Sequence, residues 1–375
     1  MCWLAMMVML LGAEEATSYQ PTYNDEGWRE AMPGYSFSFP RDHASHPDCR
    51  IEWWYYTGNL VSENGRRFGY QLTFFRTGIT LEPKSASRWA VRDLYMTHFA
   101  ISDGSARRHH VHERLNRAGV GMAGAATKHY RVWNEGWQVS LRGNTHHLVA
   151  EAEGDAIDLE LTPLKSPALH GRDGISQKGA KAGNASHYYS LTRMETKGTV
   201  TVDGVTHRVR GLSWMDHEFG TSFLEKEQIG WDWLSIQLDN DWELMLYQFR
   251  RSDGSSDPRT SGTLVDPEGE ATPLGAGDFT MSPGETWTSS ASGARYPVSW
   301  KLSIPEQKAQ LEVRAIFPQQ EMRTPLSTDV TYWEGAIDVS GTFGGASAGG
   351  SGYLEMTGYS GRPLGDSFSS DGRVQ

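Results

Sequence analysis

The feature that most constrains this chain is a strand–turn–strand pattern that recurs along its length, with no helical periodicity competing against it. Trp53–Leu60 and Phe68–Arg76 form the clearest pair, with Glu63-Asn64-Gly65 between them. Asn-Gly is the strongest short-range hairpin signal, because both residues accept the positive φ of a tight turn. In the second run Phe68, Tyr70, Leu72 and Phe74 alternate with Gly69, Gln71 and Thr73. A pleated strand therefore presents the bulky apolar set on one face. The plan repeats at Trp231–Leu238, the turn Asp239-Asn240-Asp241 and Glu243–Arg250. A third block, Trp333–Ser340 and Tyr353–Gly358, is separated by a Gly/Ser/Ala stretch at 344–352 that reads as a loop by composition. Short strands punctuated by turns, with no long 3.6-residue pattern, imply an all-β fold of two related barrels or sandwiches.

A chain of 375 residues suits two domains. The reading divides it into a segment 1–13, a lead-in 14–45, domains at 46–220 and 221–362, and a tail 363–375. Met1 to Ala13 is apolar but too short to cross a bilayer, and it has the length of a signal-peptide core without basic residues ahead of it. A periplasmic or secreted location is expected from it. Residues 163–187, rich in Gly, Ser and Lys, read as one long loop, and loops of that length are usually functional or mobile. The net charge of −11 argues against nucleic acid or an anionic membrane surface as the main partner, since such surfaces attract Lys/Arg-rich faces; no nucleic-acid partner is expected. Two cysteines, Cys2 and Cys49, rule out a disulfide framework. Fourteen tryptophans in a strand-rich chain point to large barrel cores or aromatic-lined pockets, because a buried indole supplies much apolar area and one N–H to satisfy.

Three clusters could carry chemistry. If Ser213–Phe219 is extended, Trp214, Asp216 and Glu218 share a face. Two carboxyls on one buried face repel, which raises one pKa and yields a general acid; alternatively both pair with structural arginines such as Arg76 or Arg193. Glu52, Trp54 and Tyr56 share another face, opposite Trp53 and Tyr55. Trp231, Trp233, Ser235 and Gln237 oppose the set Asp232, Leu234, Ile236 and Leu238. The aliphatic side reads as core. The mixed side reads as the lining of a barrel pocket, or else as a solvent or inter-domain face. The expected ligand contacts are Glu52, Trp54, Tyr56, Trp214, Trp231, Trp233 and Gln237, with Asp216 and Glu218 as candidate acids. His109, His110 and His112, with His146-His147, resemble a metal-ligand set, but Arg107, Arg108 and Arg114 crowd them; a solvated loop and no metal are expected. Gly119–Gly124 matches G-x-G-x-x-G without the flanking strand and helix that a dinucleotide site needs. Gly345–Gly349 matches G-x-S-x-G, but no His follows His217, so the order of an α/β-hydrolase triad is unavailable. No cofactor is expected.

Several phrases together resemble a known family. They are His46-Pro47 with EWWYYTGNL at Glu52–Leu60, FGYQLTFFR at Phe68–Arg76, YYSLTR at Tyr188–Arg193 and GLSWMDHEFG at Gly211–Gly220. GWDWLSIQLDN at Gly230–Asn240, ELMLYQFR at Glu243–Arg250, YWEGAIDVSG at Tyr332–Gly341 and GYLEMTGY at Gly352–Tyr359 complete the set. Across residues 35–360 the chain resembles the AttH-like proteins, related to the CrtC-type carotenoid 1,2-hydratases. The resemblance implies tandem lipocalin-like barrels. It also implies an apolar ligand, such as a lipid, terpenoid or polyene, and an association with ABC-transporter systems at the cell envelope. Carotenoid hydratases add water to an isolated double bond, and fungal relatives of the fold act as Diels–Alderases. The expectation is thus an envelope binding protein for an apolar molecule, with a polyene hydratase or cyclase, or a transporter adaptor, as alternatives. The catalytic residues of the hydratases cannot be placed on positions of this sequence.

Overall fold

A computed structural model describes residues 19–361, apart from 88, 222, 223 and 226. The apolar segment 1–13 and the tail 363–375 lie outside the described residues. Among the described residues the only helical element is the 3-10 turn Arg41–His43; all other regular structure is strand.

A thirteen-stranded antiparallel sheet curls into a nearly closed barrel. Its path runs from the edge strand Arg108–Arg117 through Asp93–Asp103, Arg67–Gly78, Ile51–Ser62 and Val205–Gly220 to Ala185–Val202. It continues through Asp155–Pro163 and Thr145–Ala152 to short strands ending at Ala123–Ala125. Phe68, Tyr70, Leu72 and Phe74 all point inward, where they meet Trp54, Tyr56, Leu159 and Met215. A ten-stranded sheet forms the second barrel, with Glu243–Arg251, Gln228–Leu238, Ala346–Met356 and Val330–Phe343 adjacent at its centre. Leu234, Ile236, Leu244, Leu246, Trp333 and Leu354 fill it. The two hairpins at Asn64-Gly65 and Asp239–Asp241 form where the turn residues place them.

The stretch 344–352 corrects the composition reading. Only Gly344 and Gly345 form the turn, and Ala346–Met356 is a strand paired with Val330–Phe343 throughout and with Gln228–Leu238 from Gly350 onward. Small residues serve it because a Cβ on Gly352 would come within 2.0 Å of the Ser235 carbonyl oxygen on the neighbouring strand. Residues 163–187 are likewise no free loop. Ala168–Leu169 and Ile175–Gln177 pair with Ala185–Val202, and His170 bridges the domains, bonding Thr263 Oγ1 at 2.8 Å and Ser190 Oγ at 2.5 Å.

The outer face of the first barrel packs on the outer face of the second. Gly69 allows the close approach, since a Cβ there would lie 2.6 Å from the Ala336 Cβ. Gln237 Nε2 donates to the carbonyls of Thr192 and Ser213 at 2.7 and 3.0 Å. Arg193 donates to the Leu238 carbonyl at 2.8 Å. These bonds satisfy buried polar groups that would otherwise cost about 1–3 kcal/mol each.

Candidate functional site

The strands that cross the interface present alternate residues to it, and between the barrels this leaves a cavity of about 210 Å³. That exceeds the roughly 150 Å³ cavity that admits benzene in an engineered protein core. From the first barrel come Trp53, Tyr55, Phe75, Tyr188, Asp216 and Glu218; from the second come Trp231, Trp233, Phe249, Glu334 and Glu355. The pocket therefore lies between the barrels, not inside one of them as the mixed strand faces suggested.

Four carboxyl groups reach this apolar space. Asp216 Oδ2 accepts from the Tyr188 hydroxyl at 2.7 Å, and Oδ1 accepts from Trp214 Nε1 at 2.6 Å and from Ser190 Oγ. Burial pushes its pKa up to about 7 against those three bonds, with Glu218 adding to the rise. Glu218 bonds Ser186 Oγ and pairs with the Lys178 ammonium at 3.1 Å. Burial opposes the charge on Lys178, but Glu218, Tyr247 and Asp216 together lift its pKa. Glu355 accepts from Trp231 Nε1 at 3.0 Å, and burial, with Asp216 and Glu218 nearby, raises it to about 7. Glu334 accepts from the Tyr55 hydroxyl at 2.5 Å while its other oxygen has no partner; burial and Glu355 hold its pKa well above the usual range. Glu334 and Glu355 are direct cross-strand partners, an arrangement in which like charges destabilise. Among the described residues that line the cavity, Lys178 is the only Lys or Arg. His98, bonded to the Tyr332 hydroxyl at 2.7 Å, is held neutral by burial, with a pKa near 3. The site is thus an aromatic-walled chamber holding protons near neutral pH.

The structure brings Asp216, Glu218, Trp231 and Trp233 to this chamber. Trp214 stands behind it as the donor to Asp216, and Gln237 is engaged across the interface. Glu52, Trp54 and Tyr56 occupy the opposite strand face; Trp53 and Tyr55 take the places at the cavity. Neither Asp216 nor Glu218 pairs with Arg76 or Arg193. Arg76 binds Glu52 at 3.0 Å and Asp93 at 2.9 Å, and Arg193 binds Glu243.

Glu52 is the hub of a separate buried network. Burial opposes its ionisation, but Arg76, His217 and His46 hold its carboxyl well below the usual range. His46, Glu52 and His217 approach one another as metal ligands do. The Arg76 guanidinium and the Ser45 and His46 donors already occupy Glu52, so this is an ion-pair network, not a cation cage.

Glu334, Glu355 and Lys178 are missing from the sequence reading. A signal existed for the glutamates. Each lies on the strand face opposite the core face, Glu355 as the one carboxyl of Tyr353–Gly358 and Glu334 together with Asp338 in Trp333–Ser340.

The comparisons fit this architecture. The AttH-like family model matches residues 30–359, so the chain belongs to the AttH-like family. The crystal structure of an AttH-type protein from Nitrosomonas europaea is 32% identical, with a TM-score of 0.80 over 88% of this chain and 99% of that one. Kievitone hydratase from Nectria haematococca shares the fold at 14% identity, with a TM-score of 0.68 over 89% and 97% of the two chains. CghA does so at 13% identity, with a TM-score of 0.53 over 90% and 97%. A sequence comparison with curated proteins gives no match.

Proposed function

We propose that the inter-domain chamber binds an apolar, unsaturated molecule and adds water across an isolated carbon–carbon double bond. The observation that carries this reading is the gathering of Asp216, Glu334 and Glu355, all with raised pKa, in an aromatic-walled cavity. An alkene hydratase needs a protonated acid at neutral pH, and burial of carboxyls supplies one. Glu355 donates its proton to one alkene carbon. The resulting cation at the neighbouring carbon lies among the faces of Trp53, Trp231 and Trp233, which attract positive charge. Asp216 accepts a proton from water as the water oxygen bonds to that carbon. The net change is one C–H and one C–O bond formed, with the π bond and one O–H bond broken; proton exchange through solvent restores Glu355. The fold shared with a kievitone hydratase supports this reading without identifying the substrate. An exported location and a hand-over to ABC-transporter components belong to the same proposal, resting on the apolar start of the chain and on the family. Osmotic-shock fractionation and affinity capture check them.

The test is turnover of a panel of apolar compounds with isolated double bonds in ¹⁸O-labelled water. The labelled alcohol should form with wild type and vanish with Glu355→Gln, while affinity for the same compounds stays within a few-fold. Binding without any turnover in wild type would leave a carrier for apolar molecules in place of an enzyme.

A further inference from the structure

We propose that His110, His112, Asp155 and Asp203 form a binding site for a divalent transition metal, of the zinc or cobalt(II) class, at the free edge of the first sheet. The segment expected to be a solvated loop is the strand Arg108–Arg117, which among the described residues pairs in the sheet only with Asp93–Asp103. His110 and His112 are two apart and share a face. That face meets two turns from distant parts of the chain. Asp155 begins the strand after the turn at Glu153-Gly154, and Asp203 sits in the turn between Ala185–Val202 and Val205–Gly220. The two turns are bonded together, Gly204 N to Gly154 O at 2.8 Å and Asp203 N to Asp155 Oδ1 at 3.1 Å.

The donor atoms converge. His110 Nδ1 and His112 Nε2 both lie 2.9 Å from the same oxygen, Asp155 Oδ2. Ligand atoms of His110, Asp155 and Asp203 all fall within 4.8 Å of one another. Imidazole and carboxylate ligands sit about 2.0–2.2 Å from zinc, so tetrahedral neighbours stand roughly 3.4 Å apart. The two histidine nitrogens thus stand slightly closer than ligand spacing to Asp155, and Asp203 would join them on leaving Arg108. The donor set mixes nitrogen and oxygen, which suits zinc, cobalt or nickel over calcium or magnesium. The histidine side chains are about one-tenth exposed and Asp203 is open to solvent, which leaves an entry path.

Of the crowding arginines, Arg114 is engaged elsewhere, and Arg108 would have to release the proposed ligand Asp203. Arg108 pairs with Asp203 at 2.6 Å, so the local sum of two carboxylates and one guanidinium is still negative. Arg114 lies 4.1 Å over the Trp137 ring and donates to the Asn134 carbonyl. His109 points to the other face and bonds Ser102 Oγ. A metal at this point would tie the edge strand to two hairpin tips and brace the opening of the first barrel.

The test uses the full chain, treated with chelator and titrated with cobalt(II) and then zinc. A single equivalent of cobalt should give visible d–d absorption of tetrahedral type, displaced by zinc, and zinc should raise the melting temperature. His112→Ala and Asp155→Asn should each weaken binding by more than the roughly 10- to 100-fold that loss of a residue merely orienting a ligand costs. His147→Ala should bind as wild type, because His147 pairs with Asp158 instead. Should Asp155→Asn fail to fold, His112→Ala carries the comparison. Absence of cobalt absorption, or absorption that survives His112→Ala and disappears in His217→Gln, overturns the proposal.

Discussion

Replacing Asp216 by Asn changes the pH dependence of stability in a way the cavity geometry specifies. In the fold the Asp216 carboxyl titrates near 7, against 3.8 for an ordinary aspartate, chiefly because it is buried. The folded protein therefore binds this proton more tightly than the unfolded chain does. The resulting stabilisation is fully present below about pH 4 and is lost as pH rises through 7. A change from 3.8 to about 7 corresponds to roughly 4 kcal/mol, at about 1.4 kcal/mol per tenfold change in a protonation equilibrium. Asparagine carries no titratable proton. It keeps an oxygen for Trp214 and Ser190, and the Tyr188 hydroxyl can turn to accept from its amide. Urea denaturation of wild type and Asp216→Asn at pH 4.5, 6, 7 and 8 measures the difference. The variant should gain on wild type as pH rises, by about 3 kcal/mol between pH 4.5 and pH 8. Buried neutral histidines such as His98 destabilise both proteins in acid and cancel in the difference. A difference that is flat with pH would refute the assignment of Asp216 as a desolvated carboxyl.

Three further substitutions test the buried ion pairs, the strand pairing and the second core. Arg76→Met leaves Glu52 and Asp93 buried without their cation and should cost about 3–5 kcal/mol in denaturant unfolding. Gly352→Ala forces a Cβ toward the Ser235 carbonyl and should destabilise by at least ~1–3 kcal/mol; an unchanged melting temperature would mean that 346–352 is not a paired strand. Leu246→Ala empties part of the second core and should cost about 2–5 kcal/mol by calorimetry.

Much of the fold is legible in the sequence because alternation and turn chemistry act locally. Phe68, Tyr70, Leu72 and Phe74 announce an inward face, and Asn64-Gly65 announces the hairpin. The choice of face on Ile51–Ser62 is not legible. Trp53 and Tyr55 line the inter-domain cavity while Trp54 and Tyr56 fill the barrel, so both faces are apolar and alternation gives no preference. The Glu334–Glu355 pair is hidden for a different reason. Antiparallel register follows from the position of the turn, and a turn at Gly344-Gly345 sets Glu334 opposite Glu355. A loop spread over 344–352 dissolves that pairing. Small residues read as loop by composition, yet the close strand spacing at Gly350 and Gly352 requires them. Asp216 and Glu218 are legible as a shared face. Their partners are not, since Lys178 arrives from a segment without strand periodicity.

The position of a bound apolar ligand tests the inter-domain chamber most directly. A crystal structure of the protein with a heavy-atom-labelled apolar alkene locates it. Density between the two barrels, against Trp231, Trp233 and the Glu355 carboxyl, is the predicted result. Density inside either barrel, among Trp54 and Tyr56 or among Leu234 and Ile236, would contradict it.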